Sequence, residues 1–494
     1  RVPAYILEQK TACQASRQRC QVRFSAALAA DQFLPQRVSR SVRPLAARLD
    51  GLVNGTGEGA VAGRLSVAAF SIRMLSAAIA LLSQVLLARW MGSFEYGIFV
   101  LVWLTAVVVG NISCFGFQTA VIRYAPEYLA KGRLDALRGI LVTSRIFALA
   151  ASSIVALLGA AALYLAGASV ESYYVAPFYL GFLILPMIAL GDTLDGTARS
   201  QSWVVAALSP TYIVRPLLIL GFMGSFMALG LAPTARMALL ASLAATYATT
   251  VIQFALVTFR LDRAIPTGTR EVLFGEWFRV ALPIFLVEGF FFLMTNADVL
   301  MVGRYMDPTH VAVYFATVKT LALVHFVYFA VKAGVAPRYS RLMHSGDRAG
   351  LEAFVHDSSR WTFWPSLAMA VAVLLIGWPM LMLFGKGFTE GYPLLFMLVL
   401  GVVARASVGP AESLLNMSDN ERICAGVYAV TLALNLVMNA LLIPRFGLPG
   451  AAAATTAAMI FETVALSLTV RRRLGITMFA FAPPISRPTS EGTR

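Results

Sequence analysis

Twelve stretches of about 20 mostly apolar residues recur between residues 66 and 470, separated by short polar breaks. Each is long enough to cross a hydrocarbon layer roughly 30 Å thick. A soluble core has no room for this much apolar surface: 59% of the 494 residues are hydrophobic and 13% are charged, against roughly a quarter charged in ordinary soluble domains. Inside lipid a spanning segment satisfies its own backbone donors and acceptors. The runs are also about twice as long as a barrel strand needs, so they are helices. The expected fold class is all-α, a polytopic membrane protein with about 12 transmembrane helices.

The expected spans are 66 to 88, 97 to 118, 140 to 165, 174 to 194, 203 to 225 and 236 to 258, then 278 to 297, 309 to 331, 361 to 384, 391 to 410, 424 to 444 and 449 to 470. They define a basic tail over 1–65, read as poorly ordered and cytoplasmic, a six-helix bundle over 66–258 and a linker over 259–277. A second bundle over 278–470 and a tail over 471–494 complete the expected plan. The chain starts at Arg1 with no methionine before Met74, which suits an alternative start, a processed end or a fragment boundary.

A net charge of +15 raises the question of a nucleic-acid partner, but the basic residues lie between the apolar runs, which argues against one. Most of the 40 Lys and Arg sit in the two tails and the even-numbered connections. The odd-numbered connections carry one each, namely Arg89, Arg236, Arg304, Lys386 and Arg445. Basic loops stay in the cytoplasm, so both termini are expected there. Four scattered cysteines, Cys13, Cys20, Cys114 and Cys424, form no zinc or disulfide pattern.

The second group of spans echoes the first at an offset of 215 positions. Arg304-Tyr305-Met306 answers Arg89-Trp90-Met91, and Arg338-Tyr339 answers Arg123-Tyr124. Six spans per half make this a parallel repeat about an axis along the membrane normal, with two six-helix bundles around a central cavity.

Charges within the spans each cost roughly 2.5 to 3.5 kcal/mol on insertion scales and therefore ask for a function. Arg73 in the first span shares a face with Gln84. Arg215 in the fifth lies with Thr211 and Tyr212 between Pro210 and Pro216, where proline frees backbone carbonyls. Lys319 and His325 in the eighth point to different faces, so only Lys319 is assigned to the cavity. Arg145 and Arg360 suit interfacial anchoring. Glu288, the repeat equivalent of Arg73, together with Asp298 and Glu462, are candidates for ion coupling or a bundle-to-bundle ion pair, with Asp298 equally suited to a solvated interface. Asn435 and Asn439 follow Thr431 at helical spacing; this polar stripe suits either cavity lining or hydrogen bonds between helices.

Three stretches carry a family resemblance: Leu87-Ala-Arg-Trp-Met-Gly-Ser-Phe-Glu-Tyr-Gly-Ile-Phe99 with the basic segment from Arg123 to Arg133; Asn296-Ala-Asp-Val-Leu-Met-Val-Gly-Arg304 with Tyr314-Phe-Ala-Thr-Val-Lys319; and Asn435 through Thr455, an Asn-x3-Asn followed by Ile-Pro-Arg-Phe-Gly-Leu-Pro-Gly-Ala-Ala. Over residues 66 to 470 the chain resembles the polysaccharide transport family of the multidrug/oligosaccharidyl-lipid/polysaccharide exporter superfamily, many of whose members have fourteen spans. The resemblance implies a flippase for a polyprenyl-diphosphate-linked oligosaccharide, serving exopolysaccharide or O-antigen assembly by alternating access. Arg73, Arg215 and Lys319 are the expected donors to the diphosphate, since a guanidinium stays charged and binds phosphate in a forked geometry. Gln84, Thr211, Tyr212, Asn435 and Asn439 are the expected polar lining.

No metal or organic cofactor is expected, only a coupling H⁺ or Na⁺. The expected partners are the lipid-linked glycan, membrane lipids and the polysaccharide polymerase and export machinery. A cation-coupled multidrug exporter and a peptidoglycan-precursor flippase are the alternatives. A glycan polymerase or ligase is disfavoured because every odd-numbered connection is short, so the chain is read as a transporter and not an enzyme.

Overall fold

The computed structural model of the chain describes residues 58–481 apart from 346 and 419. It divides into two compact units, Arg1–Met74 and Leu75–Arg494. In the first, residues 58–74 are helical, and most of the expected tail over 1–65 lies outside the described residues. The expected tail beyond 481 does too.

Among the described residues the architecture is all-helical, with ten helices long and apolar enough to cross a membrane. Helix α1 (Glu58–Ile112) contains two of the expected spans, because it reverses at Gly92. The glycine has φ 75° and ψ 170°, a region closed to side chains that carry a Cβ. Tyr96 Oη donates to Gln84 Oε1 at 2.8 Å. Twelve residues along a straight helix would separate the two Cα atoms by about 18 Å, so this bond requires a hairpin. The connection expected over 89–96 is thus reduced to a one-residue turn.

The next helices are α2 (Phe117–Ala130), α3 (Leu134–Ala166), α4 (Ser172–Ser200), α5 (Val204–Ala228) and α6 (Ala235–Ala264). Within α5 the expected disturbance around Pro210 takes the form of a π-helical turn over Pro210–Val214. Pro210 has no N–H to give to the carbonyl of Ala206. Gln253 Nε2 on α6 donates to that carbonyl instead, at 3.2 Å.

The second half comprises α7 (Phe274–Met294), α8 (Ala297–Tyr305), α9 (Pro308–Ser345), α10 (Arg348–Phe384), α11 (Tyr392–Val408), α12 (Ala411–Met417), α13 (Glu421–Phe446) and α14 (Leu448–Leu474). The basic connection expected over 332–360 is largely helical: α9 and α10 run on beyond their apolar parts. Their ends meet through Tyr339 and Phe354, with ring centroids 5.5 Å apart, and a hydrogen bond between Tyr339 Oη and Ser358 Oγ of 2.5 Å. Aromatic packing and a satisfied hydroxyl stabilise helix here where charge alone suggested a loop.

Helices α3 to α6 pack chiefly on one another, as do α9 to α14, while α7 touches both groups. Its first turns join the first half, where Trp277 Nε1 donates to Tyr128 Oη at 2.9 Å. A continuous buried cluster joins the halves at the end away from the basic connections. There Tyr96 packs edge-on to Phe315 and Phe388, with centroids 6.4 and 6.0 Å away.

Candidate functional site

A cavity of about 300 Å³ opens inside the second half. Its wall includes Phe291, Met294 and Met459, and its polar groups include Asp298, Lys319, His325, Arg405, Asn435 and Thr455, with Thr295 and Asn296 beside them. Helices α7, α9, α11, α13 and α14 each supply part of this wall. Lys319 and His325 both line it, which corrects the expectation that only one of them does. The α9 face on the cavity includes Val318, Ala322 and His325 at helical spacing, with Lys319 beside them, so the open sector is wide enough to take both.

Asp298 sits in the first turn of α8 and is 4% exposed. This excludes the solvated-interface reading. Its Oδ2 accepts from Tyr314 Oη at 3.0 Å and from Thr455 Oγ1 at 3.4 Å, and its Oδ1 accepts from the Val299 N–H at 2.9 Å. Lys319, by contrast, is presented to the cavity, its ammonium 4.8 Å from the Phe315 ring centroid. The acid is capped and the base is offered.

The α13 stripe bonds along its own helix, with Asn439 Oδ1 buried and without a partner among the described residues. Asn439 Nδ2 donates to Asn435 O and Oδ1 at 2.9 and 3.0 Å, and Thr431 donates to Val427 O at 2.8 Å. Among the described residues these bonds stay within α13, and Asn435 faces the cavity.

Below the cavity lies an ion network. Arg405 Nη2 is 3.1 Å from Glu462 Oε1 and 3.7 Å from Glu412 Oε2, and Glu412 also pairs with Lys332. Glu462 is fully buried and Arg405 is 6% exposed. A buried charge without its opposite costs several kcal/mol, roughly 3 to 5 when one partner is removed, so the four groups stand or fall together. Arg405 also lies 4.8 Å from the Tyr328 ring centroid.

Arg215 is not among the residues lining this cavity. It is buried in the first half, beside Asp192 of α4, whose Oδ2 accepts from Asn111 Nδ2 at 3.1 Å. Asp195 and Arg199 form an ion pair one turn further along. Thr211 is half-buried and Tyr212 is 47% exposed. Gln84 is engaged by Tyr96 in the α1 hairpin. Glu288 accepts from Thr119 Oγ1 at 2.9 Å, and the side chain of Arg73 lies outside the described residues.

Sequence reasoning missed Asp192, Arg405, Glu412 and Lys332. The signal for the first two was available: both lie inside expected spans, and the insertion cost that singled out Arg215 applies equally to them. Glu412 and Lys332 stand just past span ends, where a charge reads as solvated.

Residues 283–441, which include most of the cavity, match the MatE family model. The chain is 26% identical over 417 residues to an uncharacterized membrane protein of Methanocaldococcus jannaschii, covering 77% of this chain and 78% of that one. Among solved structures it is similar to an inward-facing multidrug resistance MATE family transporter of the MOP superfamily. The TM-score is 0.64 at 14% identity, covering 83% of this chain and 98% of that one. It is equally similar to the lipid II flippase MurJ in an inward closed conformation, with TM-score 0.64 and 14% identity over 82% of this chain and 87% of MurJ. The fold is like that of these two transporters. The polysaccharide transport family resemblance is thus carried as far as a match to the MatE family model over residues 283–441 and this likeness in fold.

Proposed function

We propose that this chain is a membrane transporter whose cargo is an anionic, lipid-linked head group, a polyprenyl-diphosphate oligosaccharide, moved by alternating access. The observation that carries this reading is the polarity of the cavity. Lys319 is presented on an apolar and aromatic wall, while Asp298, which also lines the cavity, has its carboxylate engaged by Tyr314, Thr455 and the Val299 N–H. An organic cation needs an accessible acid or an open aromatic face. A diphosphate needs a desolvated base, and an amine on an apolar wall supplies one. Arg215, buried beside Asp192, is the second cationic station. This polarity favours the oligosaccharide flippase over the multidrug exporter, and it suits a peptidoglycan precursor equally well in its diphosphate. Asp298, with Asn435 and Thr455 nearby, is the proposed coupling centre for H⁺ or Na⁺, because it is the buried carboxylate nearest the presented base.

Deletion in the host tests the reading, with surface polysaccharide, intracellular polyprenyl-linked sugars and drug sensitivity measured in parallel. Lost surface glycan with accumulated lipid-linked intermediate is the expected result. Unchanged glycan with raised drug sensitivity overturns it in favour of the exporter.

A further inference from the structure

A second recess lies away from the cavity, at the basic end of the first half where α3, α6 and the following linker meet. It encloses about 220 Å³ and carries Arg138, Arg145 and Arg270 against one acid, Asp262, with Leu141, Val142, Leu261 and Ile265 as its apolar wall. Two features distinguish it from an ordinary solvated cluster. First, Arg145 has buried hydrogen-bonding capacity to spare: its Nη1 reaches Thr258 Oγ1 at 3.3 Å, but among the described residues Nε and Nη2 are shielded and without a partner. Buried donors are nearly always satisfied, and a charged one left alone costs more than a neutral one. The Phe254 ring, 5.6 Å from the Arg145 Cζ atom, offers it a face but no acceptor.

Second, the recess is built, and it opens on a helix whose apolar part is largely uncovered by the rest of the protein. Arg138 fixes its floor by donating to Pro266 O at 2.8 Å, Thr269 O at 2.9 Å and Asp135 Oδ1 at 2.7 Å, which ties the linker to α3. Only 11% of the most apolar window of α3 is buried, against 56% for Leu75–Ile112, so α3 presents its sides to the bilayer. Arg145 lies eleven residues into α3, about 16 Å along the helix, with apolar side chains beyond it. A guanidinium with free donors, an exposed second arginine and an apolar slope toward the bilayer make a recess that takes a phosphate with acyl chains attached.

We infer that the α3–α6 recess is a binding site for the phosphate of an anionic bilayer phospholipid, with Arg145 as the buried donor and Arg270 as the exposed one. The site is separate from the cargo cavity and does not depend on what that cavity carries. The phospholipid bridges α3, α6 and the linker, so bilayer composition acts directly on the first half.

The full chain, purified in detergent, is incubated with phosphatidylglycerol or phosphatidylcholine. Retained lipid is counted by native mass spectrometry, and thermal unfolding is followed in parallel. Phosphatidylglycerol is expected to remain bound and raise the unfolding temperature, whereas phosphatidylcholine does neither. Arg145→Gln is expected to weaken retention about tenfold or more, as for a lost charge-assisted bond. The exposed Arg270→Gln should weaken it less, and it decides the matter if the first variant does not fold. Equal retention of both lipids, or unchanged retention by the folded variants, overturns the site. Displacement of phosphatidylglycerol by an equal concentration of inorganic diphosphate, or by a small fraction of polyprenyl diphosphate, overturns the phospholipid as occupant and points to free phosphate or cargo.

Discussion

At the scale of single residues, the cavity assigns opposite duties to Lys319 and Asp298, and their substitutions separate them. Lys319→Gln keeps the length of the side chain and removes the charge. It is expected to abolish restoration of surface glycan in a deletion host while membrane insertion is unchanged, and Lys319→Arg should restore it in part. Full restoration by the glutamine variant removes Lys319 from the mechanism. Asp298→Asn keeps an acceptor for Tyr314 and Thr455 but takes away the titratable group, so glycan export should persist weakly and lose its dependence on the ion gradient, read as insensitivity to an ionophore. Glu462 is of another kind. It holds no cargo but neutralises Arg405, and Glu462→Ala should destabilise the protein by about 3 to 5 kcal/mol, seen as a fall in unfolding temperature with no change in ionophore response. Lys319, Asp298 and Asn435 were legible in the sequence because a charge or an amide inside an apolar run announces itself. Arg405 and Asp192 were equally visible by that rule, but their partners Glu462 and Asn111 come from helices distant in sequence, and Glu412, although close to Arg405 in sequence, follows it across a helix break and so reads as solvated.

At the scale of elements, helix length followed directly from apolar length, while the way helices end did not. The expected spans are found mostly as helix, since lipid leaves the backbone no other partner, though turns at 113–116 and 295–296 interrupt two of them. The reversal at Gly92, the π-helical turn at Pro210 and the helical extension of α9 and α10 depend instead on packing that becomes visible only in three dimensions. Gly92 marks the difference. A glycine among apolar residues reads as part of a loop, yet its backbone conformation is the whole of the turn between two antiparallel segments. Gly92→Ala is therefore expected to cost about 1 to 3 kcal/mol through backbone strain alone, measurable as a lowered unfolding temperature. If the variant unfolds with the wild type, the hairpin is closed by its side chains and not by its glycine.

At the scale of the whole molecule, the two halves are joined at the end away from the basic connections. Arg89, at the tip of the α1 hairpin, donates through Nε to Leu383 O at 2.6 Å and through Nη2 to Met382 O at 3.3 Å, across to the end of α10. Behind this pair a Cβ on Gly97 would overlap the carbonyl of Pro308, and Tyr96 fills the space between Phe315 and Phe388. Under the alternating access proposed above, this end is the closed one, because one end opens only while the other is shut. The Tyr96 packing is apolar and resists opening over its whole area, whereas the Arg89 bonds are exposed, directional and lost at the first separation. Arg89 therefore governs how often the end opens without governing whether it closes. In a background with Cys13, Cys20, Cys114 and Cys424 replaced by alanine, a cysteine introduced at the buried Ala312 reports on opening through its reaction with a membrane-impermeant maleimide. Arg89→Gln should raise that rate several-fold, since the loss of about 1.4 kcal/mol changes a two-state population tenfold. Arg304→Gln, at the repeat-equivalent position on the end of α8, should leave the rate unchanged. Equal rates in the two variants would mean that the seal is held by apolar packing alone, and the search for the element that times opening would move to the Arg405 network at the opposite end.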